Sequence, residues 1–454
     1  MKKFKLSAML LFAAMLVFSA CGGGGGGSDD PDNPGDRTVS VSVINGVTPP
    51  AFGETPVSVI TENEQFVGTV TWSSTPSKFG ANTEYIATIT LTAKSGYTFK
   101  GIAADYFTVS GATSVTNSPN SGVITAVFPS TFETIKIAFP SGTMFEMTIT
   151  PDISTTKTFP CNIDPNWEEN YEIIDEVADV SNVPARFIMG ETEVTYELWH
   201  EVYKWATTDE GGKKRADGGI LYTFANTGKK GGYFSDYVSG TPILTDQHPV
   251  TEVNWYDTIV WCNALTEYYN ANNGSETDLV CVYTYSGAII RDSGDSNATA
   301  CDNAVQSTTA KGFRLPTSTE WEYAARYIGT SEPSHTNYIL MDGVFYSKGN
   351  SASGDTQAYN AATPTVGNYA VYIENSGASS AAVKTKTANA LGLYDMSGNV
   401  LEWCFDWYLV TISHRVFRSC SYGLSACITQ IGCVSGDKPY IMSRVLGFRF
   451  CRSR

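Results

Sequence analysis

The sequence predicts an α+β protein, with a small all-β module followed by a larger, loop-rich mixed domain. Two observations carry this. Between residues 37 and 131 the stretches TVSVSVI, GTVTWSS, EYIATITLTA, YFTVSG and GVITAVF alternate or cluster β-branched and aromatic residues. Gly, Pro, Asn and Ser separate them at intervals of roughly ten, the pattern of short antiparallel strands. From residue 132 the texture changes. Of the nine tryptophans only Trp72 precedes residue 160, and two helices become readable among Gly/Ser-rich loops.

The first 21 residues read as a lipoprotein signal. Lys2, Lys3 and Lys5 form a positive start, Leu6 to Ala20 a short apolar stretch, and Ser19-Ala20-Cys21 a small-residue cleavage site ending in cysteine. Cys21 is therefore expected to carry lipid. Residues 22–36 open with the glycine run Gly22 to Gly27 and continue in Asp, Pro and Gly. They bury too little apolar surface to fold and are expected to act as a tether. The expected location is an exported protein, lipid-anchored to a bacterial membrane and displayed at the cell surface.

Composition narrows the function. Apolar content of 42% and aromatic content of 12% describe folded domains, and the remaining length accommodates two or three of them. The formal charge is −16, and removing Lys2, Lys3 and Lys5 takes it to about −19. Such a surface repels nucleic acid and suits calcium. No later stretch has the length and hydropathy of a membrane-spanning helix. Only four histidines occur (His200, His248, His335 and His414), with no H-x-x-x-H spacing, which argues against a zinc or iron centre. The cysteines after Cys21 are Cys161, Cys262, Cys281, Cys301, Cys404, Cys420, Cys427, Cys433 and Cys451, an odd number. Cys281 and Cys301 bracket the turn residues Asp292 to Asp295. In an exported protein they are expected to join as a disulfide.

The elements follow in order. Residues 37–131 predict a small β-sandwich and resemble the immunoglobulin-like spacer modules of bacterial surface proteins. Thr195 is placed to cap a helix over Tyr196 to Ala206, with Leu198, Val202 and Trp205 on one side. A second amphipathic helix is predicted over Tyr256 to Tyr269, with Ile259, Cys262, Leu265 and Tyr269 in register. In GFRLPTSTEWEYAAR, from Gly312 to Arg326, Pro316 restricts the residue before it. Thr317 and Glu320 form a capping box, Trp321 faces the core, and Arg314, Glu322 and Arg326 are expected to form a buried ionic network.

Three motifs stand in fixed order: Glu193-Val194-Thr195 continuing into PVTEVNWYDTIVWCNAL at Pro249 to Leu265; the GFRLPTSTEWEYAAR segment; and GLYDMSGNVLEW at Gly392 to Trp403, followed by Gly447-Phe448-Arg449. In these the chain resembles the formylglycine-generating enzyme (sulfatase-modifying factor) family over residues 132–454. The resemblance implies a C-type-lectin-like fold of that family's subtype. It also implies a structural calcium ion held by Asp395, Glu402 and the carbonyls of Gly398 and Val400, hard oxygens of the kind calcium takes. A family bridge implies a Cys262–Cys451 pair, although here Phe450 intervenes between Arg449 and the cysteine.

The family's oxidase uses two cysteines and copper, and soft thiolates suit Cu(I). In the segment from Arg418 to Arg449 the matching positions are Leu424 and Thr429, so no catalytic residue is assigned. This segment also resembles the variable region of retroelement-diversified surface lipoproteins. There the fold is a scaffold and the last segment, ending in Gly-Phe-Arg, forms the ligand site. That resemblance implies a site on Tyr422, Leu424, Ser425, Thr429, Ile431, Asp437, Tyr440 and Met442. The expected function is ligand binding by a surface-anchored, non-catalytic scaffold. The expected partner is a protein or a glycan together with the membrane, and not nucleic acid. The alternative is a copper-dependent formylglycine-generating oxidase acting on exported sulfatases.

Overall fold

The computed structural model describes residues 37–453 except 81–82, 129–130, 132–133, 152–157, 160–177, 180–186, 209–218, 236–240, 274–278, 331, 334 and 409–412. Cys21, the 22–36 tether and Cys161 lie outside the described residues.

The N-terminal module is one antiparallel sheet of four strands, β1 (Phe66–Trp72), β2 (Tyr85–Ala93), β3 (Ser114–Asn117) and β4 (Val123–Phe128), in the order β1-β2-β4-β3. Alternation in the sequence becomes alternation in burial: Tyr85, Ala87, Ile89 and Leu91 of β2 face inward while Thr88, Thr90 and Thr92 face out. Two short parallel pairs, Arg37–Thr38 with Tyr97–Thr98 and Val43–Ile44 with Thr108–Val109, complete what is described. The all-β expectation holds in this coarse form.

A second antiparallel sheet has five strands: β5 (Thr134–Ala138), β6 (Met144–Ile149), β7 (Phe187–Gly190), β8 (Phe313–Arg314) and β13 (Cys451–Ser453), in the order β8-β13-β7-β6-β5. A third has four strands: β9 (Leu401–Trp407), β10 (Arg415–Arg418), β11 (Ser435–Asp437) and β12 (Leu446–Phe448), in the order β11-β10-β9-β12. Within it β9 and β12 run parallel and the other pairs antiparallel.

Three helices pack with these sheets. Helix α1 (Tyr196–Thr207) begins where Thr195 Oγ1 accepts from the Leu198 amide at 3.3 Å. It buries Leu198, Trp199, Val202 and Ala206. Trp205, expected on one side with Leu198 and Val202, is only partly buried, and Trp199 takes the central place, stacked on Trp261 with ring centroids 5.8 Å apart. Helix α2 (Trp255–Asn273) corrects the amphipathic expectation. From Trp255 to Leu265 every residue is buried, so the helix is enclosed on all sides and its sequence carries no wet stripe there. Helix α3 (Ser318–Arg326) has the expected capping box: Glu320 N donates to Thr317 Oγ1 at 3.1 Å and Thr317 N to Glu320 Oε2 at 2.9 Å.

The expected Glu322–Arg326 pair is present, while Arg314 pairs outside the expected set and Arg418 joins the network. Arg314 pairs with Glu320 at 2.7 Å, while Glu322 lies between Arg326 at 2.7 Å and Arg418 at 2.8 Å. All of these side chains are buried. No disulfide joins Cys281 and Cys301 in the structure, contrary to the expected pairing. Cys281 Sγ donates to the Asn263 carbonyl at 3.5 Å and Cys301 Sγ to the Asp292 carbonyl at 3.4 Å, each directed to its own neighbour. Cys262 and Cys451 are buried and likewise not joined.

Candidate ligand-binding face

The 418–449 segment hangs between β10 and β12 and is tied down at both ends. At its start, Arg418 donates to Ser318 Oγ at 2.8 Å, Glu322 Oε2 at 2.8 Å and the Cys433 carbonyl at 3.2 Å. Ser419 follows in the left-handed region at φ 75°, and its hydroxyl accepts from Gly398 N at 3.0 Å. A non-glycine residue holds such a backbone only where its surroundings enforce it. Gly398 itself is obligatory, because an added Cβ would lie 2.4 Å from the Val371 carbonyl oxygen.

The end of the segment is fixed by an ion pair. Arg449 Nε and Nη2 reach the two oxygens of Glu402 at 2.8 and 2.7 Å, and Trp321 Nε1 donates to Glu402 Oε2 at 2.7 Å. Glu193 lies in the same buried cluster, accepting from Val400 N at 2.9 Å and Asn399 Nδ2 at 2.7 Å. Burial, with Asp395 and Glu402 nearby, holds its carboxyl well above the usual range. Asp395 Oδ2 accepts from Lys384 N at 3.0 Å, and burial pushes its carboxyl up to about 6. Its Oδ1 is buried with no hydrogen-bond partner among the described residues.

These contacts test the calcium expectation. The orphaned Asp395 oxygen fits a hard cation, and the Gly398 and Val400 carbonyls lie on the same turn. Glu402 does not fit, because Arg449 and Trp321 already hold both of its oxygens. The four expected ligands are therefore not left open together.

Within the segment, the expected site residues divide. Tyr422, Thr429 and Ile431 are buried, which corrects their assignment to an exposed surface. The Tyr422 ring packs on Phe234 with centroids 5.4 Å apart, and its hydroxyl donates to the Arg444 carbonyl at 3.3 Å. Thr429 Oγ1 donates to the Ala426 carbonyl at 2.7 Å, satisfying a local turn. Ile431 is core. By contrast Ser425 is exposed, Leu424 and Asp437 are half-buried, and Tyr440 and Met442 are exposed. Leu424 lines a small apolar cavity of about 20 Å3 with Leu401, Phe417, Ile428 and Val434. A space of that size takes one water molecule or a methyl group.

A sequence profile of the sulfatase-modifying factor enzyme 1-like domain matches residues 161–454. The chain belongs to this family. The chain is 32% identical over 178 residues to the chaperone protein LppX of Paenibacillus barcinonensis, covering 36% of this chain and 53% of that protein. It is 35% identical over 97 residues to the serine/threonine-protein kinase pkn1 of Chlamydia caviae, covering 21% of this chain and 11% of the kinase. The match thus spans about half the length of the first relative and about a tenth of the second. Among solved structures it is similar to Treponema denticola variable protein 1, with a TM-score of 0.49 and 26% identity over 71% of this chain and 99% of the other. It is also similar to PvdO from Pseudomonas aeruginosa, with a TM-score of 0.37 and 17% identity over 68% and 94%.

The sequence did not single out Glu193, Arg418 and Arg449 as partners in the buried network. Glu193 and Arg449 lie inside motifs already quoted, but nothing local marks which acid meets which arginine. Pairing across more than two hundred residues, as between Glu193 and Asn399, leaves no spacing to read.

Proposed function

We propose that this member of the sulfatase-modifying factor family is a non-catalytic scaffold that presents its 418–449 segment to a ligand. One observation carries the proposal. The two positions matching the family's copper-binding cysteines are occupied by Leu424, which lines an apolar cavity, and Thr429, whose buried hydroxyl is committed to the Ala426 carbonyl. An alkyl chain offers Cu(I) no donor and a hydroxyl is a poor one. Of the site residues expected on the segment, Ser425, Tyr440 and Met442 are exposed, and they are contact groups rather than reactive ones.

The test is incubation of the full chain with Cu(I), oxygen and a sulfatase-motif peptide, read by mass spectrometry for the aldehyde. No conversion is expected. Conversion that disappears in Cys427→Ser would restore the oxidase.

The proposal includes a lipid anchor on Cys21, supported by the signal pattern and the glycine tether, and export to the cell surface. The mass of the N-terminal peptide checks it, and an unmodified Cys21 refutes it. It also includes a structural calcium ion at Asp395 and the carbonyls of Gly398 and Val400, with Glu402 reserved for Arg449.

A further inference from the structure

The stretch from Lys438 to Arg444 is a presented loop on a fixed base. Trp255 N donates to the Pro439 carbonyl at 3.0 Å, Glu252 N to the Ser443 carbonyl at 3.0 Å, and Ile441 N closes the turn onto Lys438 at 3.0 Å. Pro439 is buried. Between these ties Tyr440 is 52% and Met442 51% exposed. Large apolar side chains held outward on an anchored loop lose little conformational freedom when they bind. Tyrosine and arginine are also the residue types that dominate interface energetics, and the methionine thioether adapts to varied partners.

Charge specifies the partner. Lys438 and Arg444 flank the two exposed side chains and are themselves exposed. Neither joins an ion pair among the described residues. Lys438 Nζ lies 5.7 Å from the centre of the Tyr440 ring, and Arg444 lies 5.4 Å from that of Phe234. This basic, apolar loop stands on a chain of formal charge −16. At physiological salt the screening length is about 8 Å, so a short ligand at the loop senses the nearby charges, two cations against the half-buried Asp437 beside Lys438, rather than the whole molecule. A long polyanion such as nucleic acid senses the whole and is repelled.

We propose that the Lys438–Arg444 loop docks an acidic polypeptide segment bearing an apolar side chain, the carboxylates meeting Lys438 and Arg444 and the apolar group seated against Tyr440 and Met442. This rests on the segment being a ligand face and names the ligand's chemistry.

The test is selection of short random peptides, displayed on phage, against the full chain, followed by anisotropy titration of the best synthetic peptide. The selected peptides are expected to be acidic with at least one apolar residue and to bind less tightly as salt rises. Their affinity is expected to fall about tenfold or more in the double variant Lys438→Glu with Arg444→Glu, and in Tyr440→Ala with Met442→Ala. All four substitutions are at exposed positions, and unchanged melting temperatures confirm that folding is intact. Absence of enrichment overturns the proposal, as do neutral or basic winners, or affinity that neither double variant changes. Peptides lost instead in Leu424→Ala would keep the ligand face and discard the loop. A glycan array signal that depends on Tyr440, without acidic peptides, would also discard it.

Discussion

Glu402 shows how one side chain organises this fold. It is fully buried and receives two bonds from Arg449 and one from Trp321, so every strong donor around it is charge-assisted or directed. Removing one member of such a pair leaves the other charged and dry, which costs roughly 3–5 kcal/mol. Glu402→Gln is therefore expected to lower unfolding free energy by about that amount in urea titration, with the Arg449 charge stranded. A loss below about 1 kcal/mol would mean that the pair is dispensable. Residue type alone foretold part of this. Arg314, Glu320, Glu322 and Arg326 sit within one short motif, so their proximity is local and readable, whereas Arg418 meets Glu322, and Arg449 meets Glu402, only through the fold. The same limit explains why the expected site residues divide between buried and exposed. The segment's apolar residues, among them Leu424, Ile428, Ile431, Tyr440 and Met442, follow no core periodicity, and an irregular segment hides burial from a sequence pattern just as it hides exposure.

Among the elements, α3 was the most legible because its start is written in side chains that bond to their own backbone. Thr317→Ala removes the hydroxyl that satisfies Glu320 N and is expected to cost about 1 kcal/mol, seen as a lower midpoint at unchanged slope. The companion Thr317→Ser should retain most of the stability, since the acceptor remains. An equal loss in both would shift the explanation from the cap to packing of the methyl group. Helix α2 was legible in position but not in setting. Its apolar residues matched one face, while the buried Asp257, Thr258, Asn263 and Thr266 on the others counted as polar. They are internal because each has a partner: Asp257 takes Asn254 N at 3.1 Å and Ser293 Oγ at 2.6 Å, and Asn263 Nδ2 reaches the Tyr283 carbonyl at 2.8 Å. A satisfied buried polar group reads in sequence like a wet one.

For the molecule as a whole, the acid cluster predicts how stability depends on pH. Burial raises the Asp395 carboxyl from the ordinary 3.8 to about 6. A raised carboxyl disfavours the ionised folded state. The cost is present in full above about pH 6 and disappears as pH falls through 6 toward 3.8. Glu193, raised for the same reason, acts in the same direction. In chelator, the melting temperature is therefore expected to rise between pH 7.5 and 5.5. Asp395→Asn should flatten that rise and add roughly 1–3 kcal/mol at pH 7.5. Calcium should reverse the sign, because a cation bound to the folded state compensates the carboxylate. It should raise the melting temperature of the unsubstituted chain at pH 7.5 and leave Asp395→Asn unmoved. Identical curves with calcium and with chelator would remove the ion from the proposal and leave the buried acid as a strained structural group.

The order of strands around the 418–449 segment has a consequence for biosynthesis. Strand β13 lies inside the five-stranded sheet, between β8 and β7, and β12 pairs with β9, yet both are made after most or all of the segment. A ribosome that has translated everything up to Arg418 has still not supplied the strands that close two sheets. A nonsense codon or frameshift anywhere in the segment thus yields a chain with open sheet edges, a substrate for proteases rather than a shortened folded domain. Changes of side chain within the segment pass this checkpoint, while changes of reading frame do not.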